Sequence, residues 1–120
     1  MKVLIAEDDI MNQLLMGKYM RTLDWEHTIV ANGLLAVEAC SSTHFDAILM
    51  DIEMPVLDGI QATKSIREFN TAIPIIAITA YVNDRNKNEC TKAGMNGFLA
   101  KPVTQDVIKS VITGFVNPGV

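Results

Sequence analysis

The fold of this chain is decided by residues 47–55, which read Ala-Ile-Leu-Met-Asp-Ile-Glu-Met-Pro. Four apolar residues lead directly into Asp51, and Pro55 marks a turn shortly afterwards. A continuous apolar run is typical of a strand that is buried on both faces of a parallel sheet. Asp51 would then lie where this strand leaves the core. Because a lone carboxylate is costly to bury, we expect Asp51 to be solvated, paired or bound to a metal.

The composition predicts one ordered globular domain. The chain has 120 residues, a hydrophobic fraction of 49% and a net charge of −4, which suits a single domain with a sizeable core. The acidic balance gives no support for nucleic-acid binding, and no apolar run approaches the ~20 residues of a membrane span. Cys40 and Cys90 have no CxxC spacing, so we expect two reduced thiols in a cytoplasmic protein.

Strands and helices are predicted to alternate five times along the chain. Short apolar runs predict strands at residues 3–6, 26–30, 45–50, 73–78 and 98–100. Cap or turn signals precede helical segments at Asn32-Gly33, Asp58-Gly59 and Thr104. Strict alternation implies parallel strands joined by right-handed crossovers, and hence a three-layer α/β sandwich. In such sheets the functional crevice lies outside the carboxyl ends of the strands.

Two of the predicted helices have informative patterns. The first is predicted from apolar residues at three- and four-residue steps, which are Met11, Leu14, Leu15, Tyr19 and Leu23. The fourth spans residues 83–93, with Asn83 or Asp84 as its cap and Gly94 as its stop. Its small or apolar residues are limited to Cys90 and Ala93. We therefore expect this helix to pack weakly and to be mobile or partner-facing.

Polar side chains follow four of the five predicted strands, at the point where each strand ends: Glu7 and Asp8, then Asp51, Thr79 and Lys101. In a parallel sheet these ends share one edge, so the fold would gather three carboxylates, a hydroxyl and an ammonium. Crowded carboxylates require a cation, and oxygen ligands without His or Cys select Mg²⁺ or Mn²⁺.

The lysine and the threonine point beyond simple metal binding. A transferring phosphoryl group needs a fixed positive charge and a hydrogen-bond donor for its equatorial oxygens, which Lys101 and Thr79 would supply. A carboxylate can itself be the nucleophile and form an aspartyl-phosphate. Asp51 is best placed for that role because its strand is central and the other groups flank it.

Each of these residues also has an ordinary structural role open to it. Asp8 or Asp9 could cap the first helix, and we expect Asp9 to do so. Asp51 could brace the turn that follows it, and Thr79 could be a cap. Lys101 could be a solvated loop lysine whose stem covers apolar surface. The interpretation as a phosphoryl-transfer site is favoured, because otherwise four unrelated structural roles would have to coincide at the same edge of the sheet.

In this order and at these distances, the residues resemble the receiver domain of two-component response regulators. The marks are Glu7-Asp8, Asp51 with Met54-Pro55 and Asp58-Gly59, Thr79-Ala80, and Lys101-Pro102. The resemblance implies a flavodoxin-like, doubly wound sheet with strand order 2-1-3-4-5. It assigns residues 1–116 to the domain and residues 117–120 to a short tail.

The resemblance also implies a role for each site residue. Asp51 would be the phosphoacceptor, and Asp8 and Asp51 would ligate Mg²⁺ directly. Glu7 would act mainly through a bridging water, and Glu53 would contribute its backbone carbonyl. Glu53 and Tyr81 occupy positions that influence loss of the phosphoryl group in this family. The domain would catalyse its own phosphorylation and dephosphorylation, so whether it counts as an enzyme is left open.

A switch and a set of partners follow from the same resemblance. Thr79 would bond a phosphoryl oxygen, Lys101 would pair with it, and Phe98 would turn inward. The face made by the fourth helix, fifth strand and fifth helix would then change, and it could form a homodimer. The donor would be a histidine kinase or a histidine-phosphotransfer domain. Residues 9–13 look most like receivers attached to hybrid histidine kinases, although a stand-alone regulator stays possible.

Three other functions fit the residues less well. A haloacid-dehalogenase-like phosphatase would share the spacing of Asp51 and Glu53, but the chain is short for that fold and a further acidic motif is missing. A flavin carrier would need a hydroxyl- and glycine-rich loop after the first strand, where this chain has acids that would repel the flavin phosphate. A binding module that is no longer phosphorylated would retain the pocket, and no residue favours it.

Overall fold

The computed structural model describes residues 1–116, which form five strands and five helices in strict alternation. In chain order the elements are β1 (Lys2–Ala6), α1 (Ile10–Thr22), β2 (Glu26–Val30), α2 (Gly33–Ser42), β3 (Ala47–Asp51), α3 (Gly59–Arg67), β4 (Ile75–Thr79), α4 (Asp84–Ala93), β5 (Gly97–Ala100) and α5 (Gln105–Phe115). The predicted tail, residues 117–120, lies outside the described residues. Within residues 1–116, no helix is both long enough and apolar enough to cross a membrane.

The five strands form one parallel sheet in the order β2-β1-β3-β4-β5, which confirms the predicted architecture. The central strand β3 pairs with β1 on one side and β4 on the other. Successive β3 side chains point to opposite faces, so Met50 packs with helices α2 and α3 while Leu49 packs with α1 and α5. All five β3 residues are buried, which explains why this strand reads as an unbroken apolar run.

Several strand boundaries differ from the prediction, and two of these changes bear on the site. The third strand ends at Asp51 and the fourth at Thr79, so both polar side chains belong to the strands themselves. The fourth strand begins at Ile75 rather than at residue 73, because Pro74 has no N–H to donate to the ladder. The side chains of Asp51 and Thr79 are therefore held by the hydrogen-bonded sheet and not by mobile loops.

Every helix begins with a polar side chain that accepts a backbone N–H three residues later: Asp9, Asn32, Asp58, Asn83 and Thr104. The predicted capping role of Asp9 is confirmed, with Oδ2 accepting from Asn12 N at 2.9 Å. This leaves Asp8 available to the site. Gly94 ends α4 at a φ of 109°, a conformation that glycine adopts without the steric cost of a Cβ.

The first helix confirms the predicted secondary structure but not the buried face that its spacing suggests. Met11 and Leu14 are 71% and 62% exposed. The face against the sheet is instead made by Met16, Gly17 and Met20. Because α1 carries apolar residues around much of its circumference, spacing alone could not identify which stripe faces the core.

The fourth helix is as polar as its sequence predicts. Cys90 and Ala93 are its buried residues, and most of its other side chains are exposed. Arg67, at the end of α3, reaches past α4 to its terminus. It donates from Nε and Nη2 to the Gly94 carbonyl at 3.0 and 2.8 Å, and from Nη2 to Asn96 Oδ1 at 2.9 Å.

Candidate functional site

A lysine and two buried carboxylates meet at the carboxyl edge of the sheet. Lys101 Nζ donates to Asp51 Oδ2 at 2.7 Å and lies 3.0 Å from Glu7 Oε1. These residues stand at the ends of β5, β3 and β1, and Lys101 and Asp51 are 50 positions apart in sequence. The predicted convergence of strand ends is therefore seen directly, with Lys101 bridging both acids.

Three acids lie close enough to share a cation. Glu7, Asp8 and Asp51 each offer a carboxylate oxygen, and these oxygens all lie within 4.8 Å of one another. Glu7 and Asp51 are 2% and 3% exposed, whereas Asp8 is exposed to solvent. This donor set of hard oxygens, open to water on the Asp8 side, fits Mg²⁺, which usually binds one or two carboxylates and keeps several waters.

Charge crowding shows in the proton affinities of the site. Burial raises the pKa of the Glu7 carboxyl, and the adjacent Asp51 carboxyl raises it further, while Lys101 acts in the opposite direction. Burial alone would lower the pKa of the Lys101 ammonium, but hydrogen bonds to Asp51 and Glu7 outweigh burial and raise it. Lys101 is therefore held as a cation, and the acids still carry excess negative charge.

The Asp51 carboxylate is fixed in position from two sides. Oδ1 accepts the backbone N–H of Glu53 at 2.9 Å, and Oδ2 accepts from Lys101. Behind it, the start of α3 approaches the backbone so closely that a Cβ on Gly59 would overlap the Asp51 carbonyl oxygen. Gly59 is thus required for the loop from β3 to α3 to fold back against the strand end.

The Thr79 hydroxyl lies at the same edge but is already occupied. Its Oγ1 accepts the backbone N–H of Tyr81 at 2.9 Å and donates to the Glu53 carboxylate, whose oxygens lie at 3.0 and 3.1 Å. The resemblance implies a metal-binding backbone carbonyl for Glu53 and an influence on loss of the phosphoryl group, but it does not predict this contact with Thr79. The available signal was the presence of an acid two residues after Asp51.

Phe98 lies in β5 on the side of the sheet that faces α4. Its ring is half-buried against the core of that side, and Lys87 Nζ lies 5.8 Å from the ring centroid. Tyr81, in the loop before α4, is 64% exposed. Both residues therefore border the polar helix α4.

Two residues of α1 support the site in a way that the sequence did not predict. Gln13 Nε2 donates to the Glu7 carbonyl at 2.7 Å, and Tyr19 Oη donates to the Val103 carbonyl at 3.1 Å. They pin the two loops that carry Glu7 and Lys101. Sequence spacing could have suggested only Gln13, which lies in the first turns of the helix after Glu7.

The family model of the response regulator receiver domain matches residues 3–113. Among curated relatives, two-component response regulator 24 of Arabidopsis thaliana is 37% identical over 110 residues, covering 91% of this chain and 79% of that protein. Sensor histidine kinase RcsC of Escherichia coli K12 is 34% identical over 113 residues, covering 94% of this chain but 12% of the kinase. The chain thus spans a small part of the kinases that it matches.

Solved structures agree with this assignment. The receiver domain of a sensor histidine kinase from Pseudomonas aeruginosa PAO1, with a magnesium ion coordinated in its active-site cleft, has a TM-score of 0.91 at 36% identity and 97% coverage of both chains. The receiver domain of the response regulator Ssk1 from Saccharomyces cerevisiae, solved with the histidine phosphotransfer protein Ypd1, has a TM-score of 0.91 at 30% identity, covering 98% of this chain and 89% of that chain.

Three observations agree with the family resemblance seen in the sequence. They are the convergence of Asp51, Lys101 and the acids at one edge, the strand order, and the match of the family model over residues 3–113. They favour it over the hydrolase and the flavin carrier. The chain belongs to the response regulator receiver domain family of two-component signalling systems.

Proposed function

We propose that this chain accepts a phosphoryl group on Asp51 from a phosphohistidine. The observation that carries the proposal is the Asp51 carboxylate, held between the Glu53 N–H and Lys101 beside two further acids. An Asp51 oxygen attacks phosphorus and forms the O–P bond. The N–P bond breaks, and its electron pair returns to the imidazole nitrogen of the donor.

The proposed metal is Mg²⁺, as in the magnesium-bound relative. Asp8, Asp51 and the Glu53 carbonyl would hold it, with Glu7 acting through water. When bound, Mg²⁺ neutralises charge on the carboxylates and on the phosphoryl oxygens. The residues of the chain do the rest: Lys101 supplies a fixed positive charge to the phosphoryl group, and the Thr79 hydroxyl can donate to one of its oxygens.

The phosphodonor is proposed to dock on the exposed half of α1. Four large apolar side chains stand out from the start of this helix, at the edge that carries Asp51, and they are Ile10, Met11, Leu14 and Leu15, exposed by 69%, 71%, 62% and 38%. A donor must bring its phosphohistidine to that edge for in-line attack. The α1 patch, Ile10–Leu15, is an exposed apolar surface beside the site, and a histidine-phosphotransfer domain is its proposed occupant.

The receiver is proposed to be part of a hybrid histidine kinase, because its relatives include hybrid signal transduction histidine kinases. The alternative is a stand-alone response regulator. The free Cys40 and Cys90 agree with a reducing compartment, so we propose a cytoplasmic location. The α4-β5-α5 face is the proposed output surface, and exposed Val107 and Phe115 on α5 would support a homodimer with a second copy of the chain.

Intact-mass spectrometry tests the phosphoacceptor. The protein is incubated with Mg²⁺ and acetyl phosphate beside an Asp51→Asn variant, which keeps the shape of the side chain and loses the nucleophilic carboxylate. We expect one phosphoryl group on the wild-type chain, and none on the variant or without Mg²⁺. No gain by a folded, Mg²⁺-binding wild-type protein would contradict the proposal and favour a binding module.

A further inference from the structure

The Glu53 carboxylate accepts a hydrogen bond from the Thr79 hydroxyl, the group proposed to donate to the phosphoryl oxygen. Thr79 Oγ1 donates to the Glu53 carboxylate and lies 3.0 and 3.1 Å from its two oxygens, and it accepts from Tyr81 N at 2.9 Å. Thr79 is fully buried, at 0% exposure, whereas Glu53 is exposed on the loop after β3. The loop thus places a carboxylate over a buried switch hydroxyl.

A hydroxyl has one proton to donate. The Tyr81 N–H already occupies an acceptor position on Thr79, so the remaining choice lies between two anionic acceptors, the Glu53 carboxylate and a phosphoryl oxygen on Asp51. Both acceptors cannot be satisfied at once. Any phosphorylated state in which Thr79 donates to the phosphoryl group therefore requires Glu53 to release it.

We propose that Glu53 is a positioning residue that holds the Thr79 hydroxyl in the unphosphorylated protein and competes with the incoming phosphoryl group for it. This inference rests on the proposed function of Asp51. Glu53 acts through Thr79 and does not touch the reacting atoms with its side chain. Its release would free a carboxylate on the α4 side of the site as Thr79 changes partner.

The position of Glu53 gives this exchange a route to α4. Its negative charge, together with that of Glu89, adds to burial in raising the pKa of the Cys90 thiol to about 11. Cys90 is one of the two buried residues that anchor α4. A carboxylate that leaves Thr79 therefore changes the charge near a buried residue of the polar helix α4.

Charge repulsion between Glu53 and an anionic phosphodonor would also slow phosphorylation. The experiment must therefore distinguish repulsion from competition for the Thr79 hydroxyl. Removing Glu53 also removes a negative charge near an anionic donor, and that alone could speed phosphorylation. If Glu53 acts through Thr79, however, the effect must disappear when Thr79 can no longer donate. A double-mutant cycle measures this coupling.

The cycle uses wild type, Glu53→Ala, Thr79→Ala and the double variant, with Glu89→Ala as a control for a nearby acid that does not contact Thr79. The rate of phosphorylation by acetyl phosphate at saturating Mg²⁺ is followed by intact mass. We expect Glu53→Ala to be about tenfold faster, the lower end of the effect expected for losing one hydrogen bond to a charged group. In the Thr79→Ala background the same change should leave the rate unaltered, and Glu89→Ala should match wild type.

A second readout needs neither metal nor donor. In the metal-free protein, Glu53→Ala should shift the amide resonance of Tyr81, because a released Thr79 hydroxyl no longer presents the same acceptor. Glu89→Ala should leave that resonance in place. A shift with Glu53→Ala alone supports the positioning role.

Each other outcome is decisive. An equal acceleration by Glu53→Ala in both backgrounds would assign the effect to charge and overturn the inference. Unchanged rates together with an unmoved Tyr81 resonance would overturn it as well. A wild-type protein that gains no phosphoryl group would contradict the proposed function itself, which distinguishes the two failures.

Discussion

Among single residues, Glu7 is a buried carboxyl whose ionised form the fold disfavours. It is 2% exposed, it shares the edge with Asp8 and Asp51, and Lys101 is divided between it and Asp51. Burial, more than any other cause, raises the pKa of Glu7 above its usual 4.5. An acid with a raised pKa binds its proton more tightly in the folded state, so folding stability falls as pH rises through and above 4.5.

Replacing Glu7 by Gln should therefore stabilise the metal-free protein at pH 7. The gain should shrink as pH falls below 4.5, where the carboxyl is protonated in both states and resembles the amide. Urea unfolding in the presence of a chelator, at pH 7 and near pH 4, measures the two free energies of unfolding. Mg²⁺ should add less stability to the variant, because one of the three crowded charges has gone.

Glu38→Gln is the matched control for Glu7, since Glu38 is an exposed acid on α2. Its free energy of unfolding should change little at either pH. If Glu7→Gln instead lowered stability at pH 7, the ion pair with Lys101 would outweigh the cost of burying and crowding the charge.

At the scale of elements, the loop from α4 to β5 depends on one side chain of α3. Arg67 joins the Gly94 carbonyl, the Asn70 carbonyl and Asn96 Oδ1 through its guanidinium. Asn96 Oδ1 also accepts the backbone N–H of Ile75 at the start of β4. A helix with as few buried contacts as α4 needs such an external tie, because its own apolar face contributes little.

Arg67→Ala should lower the free energy of unfolding by about 2 kcal/mol, because it removes several hydrogen bonds and leaves carbonyl groups without partners. Arg67→Lys should recover only part of this loss, since a lysine cannot reproduce the planar fork of donors. Urea unfolding gives both values, and hydrogen exchange should show faster opening of α4 in either variant.

Arg85→Ala is the control for loss of an arginine. Arg85 makes an exposed ion pair with Glu89 on α4 at 3.3 Å, and such pairs contribute within about 0.5 kcal/mol. If Arg67→Ala cost no more than Arg85→Ala, the hydrogen bonds at Gly94 would not hold the loop.

For the whole molecule, the exposed apolar side chains are concentrated near the carboxyl edge of the sheet. The α1 patch lies there, and Leu34, Val56 and Tyr81 stand on segments that follow other strands, exposed by 45%, 75% and 64%. Large exposed apolar patches are uncommon on soluble monomeric proteins and often mark interaction sites. The reacting edge and the proposed docking surface therefore lie in one region of the molecule.

Leu14→Asp should slow phosphotransfer from a phosphorylated histidine-phosphotransfer protein by at least about tenfold, the scale of losing one buried interface anchor. Phosphorylation by acetyl phosphate should stay unchanged, because that small donor needs no α1 surface. Ypd1 phosphorylated beforehand is a suitable donor, with transfer followed by intact mass.

Phe69→Asp is the matched control for the docking surface. Phe69 is 49% exposed just after the end of α3, at the opposite edge of the sheet. The control should leave both rates unchanged. If Leu14→Asp slowed transfer from both donors equally, the change would have disturbed the Asp51 site and not a docking surface.

The sequence by itself determined the parallel sheet, the edge that carries the site and the capping of α1 by Asp9, whereas the strand order followed only from the resemblance to the receiver family. The first three features depend on local information: apolar runs predict buried strands, side-chain oxygens cap helices, and alternation dictates parallel crossovers. Only the tertiary structure decided that α1 exposes Met11 and Leu14, that Lys101 bridges two acids, and that Glu53 holds Thr79. The last two outcomes depend on contacts between residues 26 and 50 positions apart, where side-chain direction and packing, not spacing along the chain, select the partner.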